Sequence, residues 1–126
     1  MRVLVCGGRD YGSTAFERFM LNAVLSCFYA QWKTDSDNSP FVIIHGAAHG
    51  ADALAGAWAW KQDIAVIVEP ADWDKHGRAA GPIRNIKMLD DHKPTQVVAF
   101  PGGTGTAHMI AAARKRGIPV FAIRYE

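Results

Sequence analysis

The stretch that most constrains the fold is Val97-Val98-Ala99-Phe100-Pro101-Gly102-Gly103-Thr104-Gly105-Thr106-Ala107. Its apolar opening reads as a buried parallel strand. Pro101 ends the ladder, because proline has no N–H to donate. Gly102, Gly103 and Gly105 follow, interleaved with Thr104 and Thr106, and an alanine-rich helical run begins directly after them. The first N–H groups of a helix have no partner within it, and the helix dipole adds positive potential at that end. Glycine removes the Cβ that would hold an anion away. The junction therefore reads as a nest for phosphate oxygens.

The same order of elements recurs along the chain. Arg2 to Cys6 is a short apolar strand ending in Gly7-Gly8-Arg9-Asp10-Tyr11-Gly12. Phe41 to Ile44 is a second strand, ending in His45-Gly46-Ala47-Ala48-His49-Gly50. Ile64 to Val68, Gln96 to Phe100 and Val120 to Ile123 complete the set of strands. Between them, Thr14 and Glu17 form a capping-box signal. The helix that follows has an apolar stripe of Phe16, Phe19, Met20, Ala23, Val24, Cys27 and Phe28, expected to face the core. Lys33 to Pro40 is expected as a surface loop. Ala51 to Trp60 is a helix of small residues, suited to close packing on a sheet or a second subunit, with Trp58 and Trp60 on different faces. Glu69 to Arg78 is a longer loop, and Gly81-Pro82 opens a short helix with Pro82 at its first position. Arg114, Lys115 and Arg116 suit the last turn of the final helix, and Gly117 stops it.

Strands alternating with helices predict a parallel sheet covered on both faces. Residues 1–126 are read as one domain with a Rossmann-like, doubly wound α/β fold. Its expected sheet is five-stranded, in the order 3-2-1-4-5. In that order the first and fourth strands are neighbours at the switch point, where ligands bind beyond the strand C-termini. The glycine turns then converge at one end of the sheet.

Several function classes are excluded or disfavoured. No turn ends in Gly-Lys-Ser/Thr, so this is not a P-loop NTPase. A dinucleotide fingerprint lacks its third glycine, where His108 stands, and the second strand ends in His45 instead of an acid for a ribose hydroxyl. No cofactor is expected, and no metal, since His45, His49 and Asp52 lack a compact third partner set. A net charge of +2 argues against duplex nucleic acid, and the absence of an aromatic-basic stripe argues against a single strand. Cys6 and Cys27 sit in apolar runs and are expected as buried thiols in a reducing compartment. No signal peptide or membrane-length apolar run is visible, so a cytoplasmic location is expected.

Taken together, five pieces resemble the SLOG superfamily, most closely its small cpYpsA/YspA-related members. They are Val5-Cys6-Gly7-Gly8-Arg9-Asp10-Tyr11, His45 to Asp52, Pro70-Ala71-Asp72-Trp73, Ala80-Gly81-Pro82-Ile83-Arg84-Asn85, and Phe100 to Thr106. The resemblance implies a domain that binds a nucleotide or nucleotide derivative. Its enzymatic relatives, the Lonely-guy phosphoribohydrolases, cleave the base from nucleoside 5′-monophosphates. Those enzymes carry a PGGxGTxxE motif and a helix arginine. Pro101 to Thr106 matches the start of the motif, Met109 stands at its glutamate, and Arg84 is the counterpart of the arginine. A DNA-processing relative, DprA, shares the superfamily fold and binds single strands.

The expected ligand-binding residues are Gly7, Gly8, Arg9, Gly46, Gly50, Arg84, Asn85, Pro101, Gly102, Gly103, Thr104, Gly105 and Thr106. Arg9 and Arg84 offer guanidinium forks to phosphate. Arg84 and Asp52 are the candidate catalytic pair. Asp52 is suited to accept from a ribose hydroxyl or act as a general base, or to serve the helix dipole alone. Trp73 is read as stacking on a base or packing its loop, and His108 as exposed. The leading expectation is a nucleotide-derivative binder of sensor or signalling type. The alternatives are an N-glycosidase or phosphoribohydrolase using Asp52 or Asp72, and DprA-type single-strand binding. The expected partners are a nucleotide-derived small molecule and further copies of the chain, as a homodimer or larger, with no membrane and no nucleic acid.

Overall fold

The computed structural model describes residues 1–35 and 38–125. Its elements are β1 (Arg2–Cys6), α1 (Ala15–Thr34), β2 (Val42–His45), α2 (Ala51–Lys61), β3 (Ala65–Val68), α3 (Trp73–His76), a 3₁₀ turn (Gly77–Ala79), α4 (Ala80–His92), β4 (Gln96–Ala99), α5 (Thr104–Lys115) and β5 (Val120–Ala122). The strands form one five-stranded parallel sheet in the order β3-β2-β1-β4-β5. This is the Rossmann-like arrangement that the alternation of elements predicts.

Successive strand residues point to opposite faces, so β1 and β4 divide the core in two. Val3, Val5, Val98 and Phe100 pack with Leu21, Leu25, Ala55 and Trp58 on the α1/α2 side. Leu4, Cys6, Val97 and Ala99 pack with Met88, Leu89, Met109 and Ala113 on the α4/α5 side. With β1 buried on both faces, its C-terminal end is held from both layers. Among the described residues, no helix is long and apolar enough to cross a membrane.

The Thr14–Glu17 capping box starts α1 as expected, with Thr14 Oγ1 accepting from the Glu17 N–H at 3.1 Å. The buried stripe of that helix differs from the expected one. Leu21 and Leu25 are the buried residues, with Val24, Phe28, Tyr29 and Trp32 packed beside them. Phe16 and Phe19 are 58% and 66% exposed. Cys27 is also exposed, so only Cys6 is a buried thiol. Nearly every position from Phe19 to Tyr29 is apolar, so several stripes fit the helical period. Contact with α2 and the sheet selects one of them.

Other boundaries also shift. Lys33 and Thr34 continue α1, while Ser36 and Asp37 of the expected loop lie outside the described residues. The expected loop at Glu69 to Arg78 contains α3, capped by Asp72 Oδ1 accepting from the Lys75 N–H at 3.1 Å. Pro82 lies in the third position of α4, which begins at Ala80 and runs for 13 residues. Most of the apolar surface of α2 is covered within the chain. Ala51, Ala55, Trp58 and Ala59 are buried, while Ala53, Ala57 and Trp60 are exposed, Trp60 at 82%.

Candidate functional site

The glycine turns after β1, β2 and β4 lock onto one another through the Gly8 peptide. Gly8 N–H donates to Pro101 O at 2.9 Å, and Gly8 O accepts from the N–H groups of Ala51 at 3.3 Å and Tyr11 at 3.2 Å. Such contacts require bare backbone. A Cβ on Gly102 would lie 2.7 Å from Gly8 N, and one on Gly50 would lie 2.6 Å from Arg9 O. Gly46 has a similar role, since the Arg84 guanidinium covers it and a Cβ would lie 2.7 Å from Cζ. These glycines bring the loops together.

Above the joined loops lies a cleft of about 590 Å³ at the C-terminal end of the sheet. Of the residues expected at a ligand, Gly7, Gly8, Arg9, Arg84, Asn85, Gly103, Thr104, Gly105 and Thr106 line it. Gly46, Gly50, Pro101 and Gly102 do not; Pro101 and Gly102 face a second hollow beside β5. Asp52, Trp73, Arg78 and His108 complete the polar and aromatic wall. Arg78 was not singled out in the sequence, although an arginine directly after Gly77 is a visible signal.

One wall is the start of α5. Its N-cap, Gly103, supplies no side-chain hydrogen bond. Nothing lies within 4 Å of a Cβ built on Gly103 or Gly105. The first-turn N–H groups thus meet the cleft without a protein cap. Asn85 braces this wall from α4, because its Nδ2 donates to Gly105 O at 3.3 Å and to His108 Nδ1 at 3.1 Å. An amide nitrogen only donates, so His108 Nδ1 accepts and its Nε2 carries the proton in the neutral ring. His108 is half-buried by this bond, where the sequence suggested exposure.

The opposite wall centres on Arg84 and Asp52. Arg84 Nη1 donates to Gly46 O, and Nε donates to Asn85 Oδ1 at 3.1 Å. Burial depresses the Arg84 pKa, with the Asp52 charge opposing. Asp52 is 5% exposed, and its Oδ2 accepts from the N–H groups of Gly46 at 3.0 Å and Ala48 at 3.2 Å. Burial raises its pKa, against those two hydrogen bonds and the charges of His45 and Arg84. Cys6 lies beneath, its thiol pushed up to about 12 by burial and then by Asp52, so it stays protonated. His45 is buried outside the cleft lining, and its Nδ1 accepts from the Ala47 N–H at 3.0 Å.

Arg9 and Trp73 form the rim, with the Arg9 guanidinium carbon 5.6 Å from the ring centroid. Among the described residues, neither Arg9 nor Arg78 has an ion-pair partner. Met109, at the position of the Lonely-guy glutamate, is fully buried in the α4/α5 core and does not line the cleft.

The sequence model of the YspA, cpYpsA-related SLOG family matches residues 1–76. The chain belongs to this family. Gene 61 protein of Mycobacterium phage D29 is similar, at 41% identity over 92 residues, covering 66% of this chain and 73% of that protein. Among solved structures, UDP-GlcNAc 2-epimerase from Neisseria meningitidis, bound to UDP-GlcNAc, superimposes with a TM-score of 0.53 at 21% identity. The likeness covers 98% of this chain and 32% of the epimerase, and it concerns the fold. The SLOG match takes in the turns after β1 and β2, Asp52 and Trp73. Arg78, Arg84, Asn85 and the glycine turn before α5 lie beyond the matched residues and join the cleft through the tertiary structure.

Proposed function

We propose that this SLOG chain binds a nucleotide or nucleotide-derived phosphorylated ligand in the cleft, as a sensor or signalling module. The observation that carries the reading is the uncapped start of α5 opening into the same cleft as Arg9 and Arg78, which have no ion-pair partner among the described residues. Bare helix N–H groups and the dipole favour a phosphate. The arginines add charge-assisted donors, and Trp73 offers a face for a base. A solved protein of this fold holds a nucleotide sugar, which makes UDP-GlcNAc a useful probe beside nucleoside phosphates, ADP-ribose and cyclic nucleotides.

The test is a thermal-shift and calorimetric screen over those ligands. A ligand at about 100 times its Kd stabilises the folded state by about 2.7 kcal/mol. Gly103→Val should keep the fold, since Gly103 faces open space, and should abolish binding by blocking the approach to α5. Absence of any shift across the panel, or unchanged affinity in a folded Gly103→Val protein, would refute the reading.

One observation favours a second reading, an N-glycosidase on nucleoside monophosphates. A carboxylate, Asp52, does line the cleft although Met109 does not. It is suited to take the proton of a water that displaces the base. Chromatographic assay of free base separates the readings. Turnover on the order of one per second or faster, lost in Asp52→Asn, supports the enzyme; silence with tight binding supports the sensor.

A further inference from the structure

The two oxygens of Asp52 have unequal surroundings. Oδ2 accepts from two backbone N–H groups of the loop after β2. Oδ1 has no hydrogen-bond partner among the described residues. No fully buried side-chain nitrogen or oxygen among them lacks a partner. Oδ1 is therefore open to the cleft that Asp52 lines. A side chain 95% withdrawn from solvent, with one oxygen pinned and the other presented to a cleft, calls for a hydrogen-bond donor from outside the chain. An ionised carboxylate only accepts, so a ligand group that displaces water from Oδ1 must carry an O–H or N–H.

The sheet order says which part of a nucleotide reaches it. The turn leading into α5 follows β4, and Asp52 belongs to the unit that follows β2; β1 lies between them. A ligand whose phosphate sits on α5 meets Asp52 with a group further along it. The first donor-bearing group along a nucleotide from its phosphate is the sugar, and the base comes after it. Trp73 on the rim is separately available to a base.

We infer that Asp52 is a specificity-determining residue that reads a sugar hydroxyl, so that the cleft selects ribonucleotides over their deoxy counterparts. This rests on the nucleotide reading above. Asn is the sharpest probe of it. Its side-chain oxygen can keep the bonds from Gly46 and Ala48, while its NH₂ offers a sugar hydroxyl only a neutral hydrogen bond in place of the charge-assisted one.

The experiment measures calorimetric affinities of the full chain for ADP, GDP, CDP and UDP, each against its 2′-deoxy and 3′-deoxy forms, and for IDP against ADP. The wild type should bind at least one ribonucleotide about ten- to a hundredfold more tightly than one of its deoxy forms. Asp52→Asn should lower that ratio several-fold, and because ribo and deoxy forms are compared within each protein, a general change in nucleotide affinity cancels. Equal affinities for the ribo and both deoxy forms would overturn the inference while the nucleotide reading stands. A preference that follows the base, in either direction between ADP and IDP, without a sugar effect would also overturn it. Failure of every nucleotide to bind wild type overturns the nucleotide reading and this inference together. A ribonucleotide preference retained in full by Asp52→Asn, or by Asp52→Ser should Asn fold poorly, would overturn the assignment to Asp52.

Discussion

Replacing Gly50 with alanine adds a single carbon at the point where the β1 and β2 turns meet. Gly50 has φ +75° and ψ −123°, a conformation that L side chains rarely adopt. Holding alanine there costs about 1–3 kcal/mol. The new Cβ would also lie against Gly8 O, and 2.6 Å from Arg9 O. An ordinary carbon–oxygen contact is about 3.3–3.6 Å, so backbone must move by roughly 0.7 Å or more, with no flexible side chain to give way. Overpacking of that kind costs a further 1–3 kcal/mol or so. The sum is about 2–6 kcal/mol against a typical total stability of about 5–15 kcal/mol. For a chain of 126 residues this lowers the melting temperature by about 6–30 °C, at about 3–5 °C per kcal/mol.

Gly105→Ala is the matched control, since it adds the same carbon inside α5 where nothing lies within 4 Å. Helix propensity then stabilises by up to about 1 kcal/mol. The same chemical change should thus have opposite signs at the two positions. Melting followed by circular dichroism on both purified variants decides it. A Gly50→Ala protein that melts within about 2 °C of wild type would refute the reasoning that the turns are locked through bare backbone.

Further outcomes follow from the same geometry. Arg84→Ala should weaken nucleotide binding by about tenfold more than nucleoside binding, one charge-assisted hydrogen bond's worth; equal losses by calorimetry would show that Arg84 does not read the phosphate. Met109→Glu places a carboxylate in the α4/α5 core, so it should destabilise by about 3–5 kcal/mol and gain no base-releasing activity. A well-folded, active Met109→Glu protein would mean that this side chain does reach the cleft. Burial holds His45 below its ordinary pKa of 6.5, so the unfolded chain takes up the proton first. Stability supplied by neutral His45 is therefore complete above 6.5 and lost as pH falls through the folded value. The wild-type melting temperature should drop more than that of His45→Gln between pH 7 and pH 5, and parallel curves would contradict this. Asp52, shifted upward, contributes with the opposite sign in both proteins.

The positions of the strands, the capping of α1 and the glycine turn before α5 were legible because each depends on local chemistry. Short apolar runs, glycine clusters and a Thr-x-x-Glu box report backbone preferences that act within a few residues. The face of α1 was not legible, because Phe19 to Tyr29 is apolar on nearly every side and only packing against α2 and the sheet chooses Leu21 and Leu25. Nor was the division of labour among the glycines. Gly50 and Gly102 hold loops together and Gly103 and Gly105 face open space, although all four stand in similar runs of small residues. The sequence also could not show that Met109 turns into the core while Asp52, on a different helix, lines the cleft. Local propensity determined where strands and turns form. Which atoms meet across those turns was decided by strand order and layer packing, because such contacts join residues far apart in the chain.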